Sequence, residues 1–235
     1  DKHSTGGVGD KTTLVLLPML AACGLTMVKM SGRGLGITGG TIDKLESVRG
    51  FRVDLKPEEM IRQAGEIGLA LAEQTSDLAP ADGAMYSLRD ATGTVESIPL
   101  IVSSILSKKL ACGAEIVSLD VKCGSGAFMK DRAAAQALAD MLCSTSKRCG
   151  LKTTAVITDM DRPLGRSVGN AIEVREAIRV LKGERGRFRD LCLFLARHTL
   201  EACSMDPGLA ESALDSGSAL EKAQLWFEAQ EIGRA

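Results

Sequence analysis

The sequence has few aromatic residues, few histidines and little excess charge of either sign. Of its 235 residues, 3% are aromatic and two are histidine, and the formal net charge is −1. A near-neutral charge balance gives no footprint for nucleic acid or for an anionic membrane, and scarce aromatic rings argue against a surface that stacks bases. The sequence therefore predicts neither a nucleic-acid nor a membrane partner.

Long hydrophobic runs and paired cysteines are also missing. The longest apolar stretch, Leu14 to Cys23, contains Pro18 and is far shorter than the ~20 residues that cross a bilayer. The seven cysteines form no C-x-x-C pair, and only two histidines are present to join a metal site. We interpret the cysteines as reduced thiols and expect a cytoplasmic protein without a bound metal.

The remaining composition is that of an ordinary globular protein, with 45% hydrophobic and 25% charged residues. Segments of strand length alternate with segments of helical length, a pattern typical of an α/β fold with a mainly parallel sheet. We expect strands over residues 25–30, 69–74, 115–122 and 152–158. We expect helices over residues 12–23, 41–48, 57–68, 84–111, 131–149, 171–181, 189–203 and 219–229.

Two polar, glycine-rich segments stand out from this background. The first covers residues 1–11 (DKHSTGGVGDK) and the second covers residues 31–41 (SGRGLGITGGT). Glycines allow backbone N–H groups to approach an anion, while lysine and serine add positive charge and a further donor. Because one expected helix and one expected strand separate the two loops, we predict that they form a single anion site.

Two nucleotide-binding motifs match parts of these loops but fail in detail. Residues 34–39 fit the dinucleotide pattern G-x-G-x-x-G, yet Gly39 and Gly40 continue the loop, so the helix begins only at Thr41. Residues 9–12 (GDKT) resemble the end of a P-loop, but Asp10 takes the place of the required glycine. A carboxylate there would oppose phosphates, and we interpret neither segment as a nucleotide site.

The motifs as a set carry a family resemblance. They are residues 1–11, residues 31–46, Tyr86-Ser-Leu-Arg89-Asp90, and the segments 97–100, 103–109, 120–129 and 169–174. In this order they resemble the thymidine and pyrimidine-nucleoside phosphorylases over most of the chain. The resemblance implies an α/β fold like that of nucleoside phosphorylases and phosphoribosyltransferases. It divides the chain into an α/β phosphate-binding part (1–77), a small all-α lobe with the base-binding residues (78–111), and a continued α/β part with a helical tail (112–235).

The resemblance also implies a reaction and a set of site residues. The reaction is phosphorolysis of a pyrimidine nucleoside (thymidine, deoxyuridine or uridine) to the free base and a pentose 1-phosphate, with phosphate as co-substrate and no cofactor. It places the catalytic groups at His3, Arg89 and Lys108. Phosphate would be bound by Lys2, Ser4, Thr13, Ser31 and Thr41. The base would be bound by Arg89, Ser104 and Lys108, within a lining that includes Tyr86, Val95, Ile101 and Phe128.

The chemistry of the implied step suits these residue types. The leaving pyrimidine gathers negative charge on its ring oxygens, so donors aimed there lower the barrier. Ser104 and Lys108 are four residues apart on one expected helix and therefore face the same side. An imidazole with an ordinary pKa of about 6.5, as His3 would have, can hold a proton for the departing base near neutral pH.

Two positions bear on substrate range and on potassium. Several thymidine phosphorylases carry a histidine where this chain has Ile37, which weakens a strict preference for thymidine. Lys11 instead matches the thymidine phosphorylases, whereas relatives of broader specificity have threonine there and use a potassium ion nearby. The two positions indicate opposite specificities, so thymidine and broad pyrimidine specificity both stay open. A lysine ammonium can replace the ion, and we expect no metal.

The length raises a separate expectation. Members of the family are considerably longer, with a helical segment before residue 1, a further α/β portion after residue 235, and a dimer as the working form. We therefore expect a partial chain of a homodimeric protein, whose two lobes close over the substrates. Alternative interpretations are a phosphoribosyltransferase or nucleotide phosphorylase of related fold, or a non-catalytic fragment that binds phosphate.

Overall fold

The structure is a computed structural model that describes residues 1–34, 39–74 and 79–230. The strands are β1 (Lys2–Ser4), β2 (Met27–Ser31), β3 (Leu69–Glu73), β4 (Ile116–Cys123) and β5 (Lys152–Asp159). The helices before β4 are α1 (Thr12–Ala22), α2 (Thr41–Glu46), α3 (Pro57–Ile67), α4 (Pro80–Ala91) and α5 (Ile98–Ala111). The helices after β4 are α6 (Arg132–Arg148), α7 (Asn170–Leu181), α8 (Arg187–Ala202), α9 (Leu209–Asp215) and α10 (Ser218–Ala229).

The strands form two small parallel sheets. One has the order β1-β4-β5, with His3 opposite Leu119, and the other pairs β2 with β3, with Met27 opposite Leu69. Since strands alternate with helices and all pairs are parallel, the expectation of an α/β fold with mainly parallel sheets is confirmed. The two glycine-rich loops follow the carboxyl ends of β1 and β2, which is where open parallel sheets bind ligands.

Helix α1 lies at the centre of the main core. Its residues from Thr12 to Ala21 are all buried, and it packs against α7, α8 and α10. Burial on every side explains why this segment has no polar face. The same core contains Phe51, whose ring packs edge-on against Trp226 and Phe227 with centres 5.7 and 5.1 Å apart. Several of the few aromatic residues therefore serve packing.

A second core supports the other sheet. It joins the inner face of β4 to α5 and α6 through side chains such as Leu119, Leu106 and Leu138. Helix α4 packs against α5, and α5 also contacts β2. The helices expected to carry the base-binding residues are therefore held directly against the α/β body. The division into a body (1–77 and 112–235) and an α lobe (78–111) stays a prediction.

The observed elements differ from the expected ones in three places. The opening segment is not all loop, because Lys2–Ser4 pairs with β4 as a strand. The backbone pairing with a buried strand decides this, and three polar residues show no periodicity that could reveal it. The helix expected over 84–111 is interrupted at Gly93, whose φ is +65°, and Pro99 lies in the first turn of the next helix. Helix α9 was not predicted.

Within the described ranges, no helix combines the length and the hydropathy needed to cross a membrane.

Candidate active site

A cavity of about 580 Å³ lies at the carboxyl ends of β1 and β2, with α4 and α5 forming another part of its wall. Both glycine-rich loops contribute to it, so they meet at one site as the sequence predicts. The cavity brings together all of the predicted site residues except Lys2 and Val95, namely His3, Ser4, Thr13, Ser31, Thr41, Tyr86, Arg89, Ile101, Ser104, Lys108 and Phe128.

Four hydroxyl side chains form one part of this cavity, which we call the hydroxyl end: Ser4, Thr13, Ser31 and Thr41. Ser4 and Ser31 are the last residues of β1 and β2, Thr13 lies in the first turn of α1, and Thr41 begins α2. This end of the cavity is suited to an oxyanion.

The hydroxyl of Ser4 is oriented by a half-buried carboxylate that also lines the cavity. It donates to Asp10, which also accepts from the backbone N–H and the hydroxyl of Thr12 at 3.1 and 2.8 Å. Burial raises the pKa of Asp10, but the positive charges of Lys122 and Lys2 and these hydrogen bonds outweigh it and hold the pKa well below its ordinary value. Asp10 is therefore ionised at neutral pH and fixes the direction of the Ser4 hydroxyl.

The second glycine-rich loop is tied together at its base by Asp43 of α2. The Asp43 carboxylate accepts from the backbone N–H groups of Gly34 and Gly40 at 2.6 and 2.9 Å. A side chain at Gly40 would place its Cβ 2.3 Å from the carbonyl carbon of Arg33, so only glycine allows this approach. The glycine at this position therefore brings the two ends of the loop together beside Thr41.

Three polar side chains on α4 and α5 form what we call the cationic end: Arg89, Ser104 and Lys108. Ser104 and Lys108 lie one turn apart on α5, and the Lys108 ammonium donates to the Ser104 hydroxyl at 2.8 Å. Lys108 also donates to the carboxylate of Asp82 on α4. Donors of this kind suit carbonyl oxygens or a negative charge that forms on them.

Arg89 is held in the wall by the loop that follows its own helix. Its guanidinium donates to the backbone carbonyl of Val95. The guanidinium carbon of Arg89 and the Lys108 ammonium each lie 5.6 Å from the centre of the Tyr86 ring, within range of a cation–π attraction. Tyr86 therefore contacts both cations through its ring, and Ile101 and Phe128 supply apolar surface to the cavity.

His3 is half-buried in the cavity wall among lysine side chains. Burial, and then the positive charges of Lys109, Lys29, Lys108 and Lys2, lower its pKa well below the ordinary value of 6.5. The expectation of an imidazole that holds an extra proton near neutral pH needs this correction, because the surrounding cations oppose a further positive charge. At pH 7 the ring is neutral and donates through one nitrogen only.

The comparison with family models decides where this fold and cavity belong. Residues 1–220 match the model described as the glycosyl transferase family, a/b domain. The chain belongs to this glycosyl transferase family. The match covers every element that lines the cavity, from β1 to α5 and the segment around Phe128.

Two curated relatives of this glycosyl transferase domain are named pyrimidine-nucleoside phosphorylase. The chain is 52% identical to a pyrimidine-nucleoside phosphorylase from Geobacillus stearothermophilus and 50% identical to one from Staphylococcus haemolyticus. Each match covers 98% of this chain and 55% of the relative, so the chain spans about half the length of these proteins. The resemblance noted in the sequence is thereby confirmed.

A solved structure shares the fold of the glycosyl transferase domain. Anthranilate phosphoribosyltransferase from Thermus thermophilus aligns with a TM-score of 0.75, covering 100% of this chain and 78% of its own. The sequences are 20% identical, so this likeness concerns the fold alone. It agrees with the phosphoribosyltransferase-like architecture expected from the motifs.

Lys2 of the glycosyl transferase domain lies behind the cavity wall. Its side chain is buried, and its ammonium donates to the hydroxyl of Thr12 at 2.5 Å. A second buried pair lies in the same region, where the ammonium of Lys122 is 2.7 Å from the carboxylate of Asp120. Lys2 thus supplies positive charge from below the hydroxyl end, and its direct contact with a ligand stays a prediction.

Two charged residues that the sequence reasoning missed belong to this region. Lys29 lines the cavity from β2, two residues before Ser31 and hence on the same face, and donates to the carbonyl of Lys2 at 2.7 Å. Asp82 does not line the cavity but forms an ion pair with Lys108. The signals were a charge within an otherwise apolar strand, and the helical spacing of Asp82, Tyr86 and Arg89 along α4.

Lys11 lies in a cage of oxygen atoms beside the first loop. Its ammonium is 2.6 and 2.8 Å from the carbonyl oxygens of Leu164 and Ser167, and 3.0 Å from the carboxylate of Glu176. Carbonyl and carboxylate oxygens are also the usual ligands of hard cations. The lysine thus provides a positive charge at a place where oxygen atoms converge, and it links the β1–α1 loop to α7.

The remaining expectations concern thiols, metals and one specificity position. All seven cysteines are free. Over residues 1–34, 39–74 and 79–230, no group of three histidine, cysteine, aspartate or glutamate side chains could hold a metal ion. Ile37 lies outside the described residues, so its effect on substrate range stays a prediction.

Proposed function

We propose that this protein catalyses the phosphorolysis of pyrimidine nucleosides to the free base and a pentose 1-phosphate. The observation that carries the proposal is one cavity that has both a hydroxyl end and a cationic end. The first is suited to an oxyanion and the second to the carbonyl oxygens of a base. The names of the curated relatives support the same reaction.

In the proposed reaction, inorganic phosphate occupies the hydroxyl end. Thr13, Ser31 and Thr41 donate to its oxygens, and Ser4 joins them once its hydroxyl turns from Asp10 to the ligand, while Lys2 provides positive charge close by. Burial and the charges of Lys109 and Lys2 hold the pKa of Lys29 well below its ordinary value, and bound phosphate raises it. A phosphate oxygen forms a bond to C1′ of the sugar as the C1′–N1 bond breaks. The electron pair of the broken bond moves into the pyrimidine ring, which becomes an anion until it receives a proton.

The cationic end would stabilise that anion. Arg89, Ser104 and Lys108 donate to the ring oxygens, where negative charge grows during the reaction, so their contacts strengthen in the transition state. A preorganised donor of this kind contributes about 3 kcal/mol to lowering the barrier. Tyr86 and Phe128 flank the base and exclude water from it.

His3 is proposed as the group that supplies the proton to the departing base. The negative charge of bound phosphate counteracts the surrounding lysines and raises the pKa of His3, so that the imidazole takes up a second proton and becomes an imidazolium. The histidine would donate its proton to a ring oxygen of the base. The proton therefore becomes available when phosphate is present.

We further propose the finer features that the family resemblance implies. The substrates are thymidine, deoxyuridine and uridine, the working form is a cytoplasmic homodimer, and the role is the salvage of pyrimidine nucleosides. Lys11 supports thymidine among these substrates. Light scattering on the protein expressed from its complete gene tests the dimer, and kcat/KM for thymidine against uridine tests the substrate range.

A base-release assay tests the central proposal. The protein expressed from its complete gene is incubated with thymidine, deoxyuridine or uridine, with and without phosphate, and free base is measured by chromatography. We expect release that requires phosphate and is lost in Lys108→Ala and Arg89→Ala, but kept in Lys147→Ala, which changes an exposed lysine of α6. Absence of release from the unaltered protein would contradict the proposal. Base consumption that needs phosphoribosyl pyrophosphate instead would indicate a phosphoribosyltransferase.

A further inference from the structure

A buried carboxylate on α4 stands immediately behind the cationic end. The side chain of Asp82 is 2% exposed and that of Lys108 is 7% exposed, and the two form an ion pair. Asp82 does not line the cavity, so it does not contact a ligand there. Whatever it contributes to the site passes through Lys108.

We propose that Asp82 is a positioning residue, which directs the Lys108 ammonium into the cavity and keeps it charged. This inference rests on the proposed function, in which Lys108 donates to the base. It assigns the direction and the charge of that donor to a residue on a different helix.

The hydrogen-bond geometry of Lys108 is the first support. An ammonium group has three N–H donors. One is directed to Asp82 and a second to the hydroxyl of Ser104 at 2.8 Å. Because these partners fix two of the three N–H directions, the third is fixed as well. Lys108 lines the cavity, so the third N–H is the one available to a ligand there. Without the carboxylate, the flexible four-carbon stem would lose its main anchor.

The second oxygen of the Asp82 carboxylate is the next support. In the described part of the chain, Oδ1 is buried and has no hydrogen-bond partner. A buried polar atom without a partner is unfavourable for stability. The Asp82–Lys108 ion pair therefore fits a role in orienting Lys108 better than a role in stabilising the fold.

The charges around Lys108 also depend on this carboxylate. Burial lowers the pKa of Lys108, Asp82 raises it, and Lys109 and Arg89 lower it further. Tyr86 faces the ammonium through its ring, and His3 also lies within its electrostatic range. Among the described side chains that face Lys108 from α4, α5 and β1, the carboxylate is that of Asp82. Its removal leaves a cation opposed by other cations, so the pKa of Lys108 must fall.

The first test is the variant Asp82→Asn, which keeps the shape of the side chain and removes its charge. We expect kcat/KM for nucleoside to fall about tenfold at neutral pH, mainly through kcat, and the alkaline limb of the pH profile to move to lower pH. Asp82→Glu, which retains the charge, should recover part of the loss. Asp190→Asn, at an exposed position of α8, serves as the matched control and should behave like the unaltered protein. An unchanged pH profile in Asp82→Asn would overturn the proposal.

A double-variant cycle separates positioning from general stability. If Asp82 acts through Lys108, Asp82→Asn should lower kcat/KM no further once Lys108 is already alanine. An equal loss in both backgrounds would mean that Asp82 acts by another route and would overturn the proposal. Should Asp82→Asn fail to fold, the same cycle is run with Asp82→Ser, which also removes the charge.

A measurement without nucleoside keeps the two proposals distinguishable. The pKa of the Lys108 ammonium is followed by NMR of isotope-labelled lysine, with Lys108→Arg to assign the signal. We expect a lower pKa in Asp82→Asn than in the unaltered protein, and an unchanged pKa would refute the inference even in an active enzyme. A lower pKa in a protein that cleaves no nucleoside would support the effect of Asp82 on Lys108. The same result would contradict the proposed function, including the role of Lys108 toward the base.

Discussion

The hydroxyl end and the cationic end of the cavity obtain their polar groups in different ways. The hydroxyl end uses short side chains on residues that end strands or begin helices, so the backbone of the α/β body places them. The cationic end uses two long side chains on α4 and α5 that reach their positions only through other groups: Asp82 for Lys108 and the Val95 carbonyl for Arg89.

This difference predicts how sensitive each end of the cavity is to substitution. Short hydroxyls attached to strand ends lose little rotational freedom on folding, and several of them share the same ligand. Long cationic side chains lose more freedom and depend on buried partners, whose removal leaves a charge uncompensated. Single substitutions should therefore affect the cationic end more than the hydroxyl end. The predictions that follow test this contrast.

The largest effect is expected for Lys108→Ala. Loss of a preorganised donor at the cationic end should lower kcat/KM for nucleoside by about 10²–10³-fold. Steady-state kinetics at saturating phosphate measures it, with Lys147→Ala as the control on an exposed face. A loss of less than about threefold would be too small for a donor that acts in the transition state. It would also contradict the expectation that the cationic end is more sensitive to substitution than the hydroxyl end.

Asp10→Ala should have the next largest effect, and on stability rather than turnover. The buried Lys2 and Lys122 would lose the nearby negative charge of Asp10, which raises the pKa of both. We expect the free energy of unfolding at pH 7 to fall by about 3 kcal/mol. Because the folded state holds the pKa of Asp10 below its ordinary value of 3.8, this contribution is present above pH 3.8 and is lost as the pH falls toward the folded pKa.

Urea unfolding at several pH values checks that expectation. The control is Asp140→Ala, which removes an exposed carboxylate from α6. If Asp10→Ala and Asp140→Ala change the unfolding free energy equally, the network behind Ser4 carries no special stability. In that case the hydroxyl end owes its order to the backbone alone.

A smaller effect is expected for Thr13→Ala at the hydroxyl end. Loss of one neutral hydrogen bond among several should raise the KM for phosphate about fivefold, which corresponds to ~1 kcal/mol. The KM for nucleoside should hardly change, and Thr13→Ser should retain the native value because it keeps the hydroxyl. A loss as large as that of Lys108→Ala would show that the hydroxyls do not share the ligand.

The smallest effect is a change in the titration of His3, which lies beside Ser4 and within the electrostatic range of Lys108. Lys29→Met removes one of the cations that lower the pKa of His3, so NMR titration should give a higher pKa than in the unaltered protein. Addition of phosphate should raise it in both. A pKa that responds to neither change would mean that burial alone determines the protonation of His3.

The pH dependence of folding follows from the same lowered pKa. Below the unfolded value of about 6.5, the unfolded chain binds a proton on this histidine that the folded chain does not bind. The contribution of His3 to stability is therefore greatest above pH 6.5 and declines as the pH falls below it. Comparison with His3→Gln across this range isolates the contribution.

Much of the fold was predictable because it follows from local patterns. The apolar run of β4 and the helical repeat of α6 were anticipated to within about two residues, as is usual for strongly patterned segments. The short strand β1 was not, because its three residues are polar and only their pairing with β4 makes them a strand. Helix α9 has seven residues and offers too little periodicity to be recognised.

The side chains of the candidate site were likewise predictable only in part. Ser104 and Lys108 were expected on one helix face, and they lie together in the cavity. Lys2 was expected to bind phosphate together with Ser4, and this stays a prediction; its ammonium lies beside Thr12, behind the cavity wall. The helix that starts at Thr12 and the aspartate at position 10 determine that direction, and neither interaction can be read from the motif.

The sequence by itself determined which chemical groups are available to the site, since glycine-rich loops at strand ends and the spacing along one helix are local properties. Only the tertiary structure decided the charge and the direction of those groups. The ammonium of Lys108 depends on Asp82, 26 residues away, and the imidazole of His3 depends on lysines on β2 and α5. Electrostatic interactions act through space, so the protonation of a buried side chain depends on which charges the fold brings beside it.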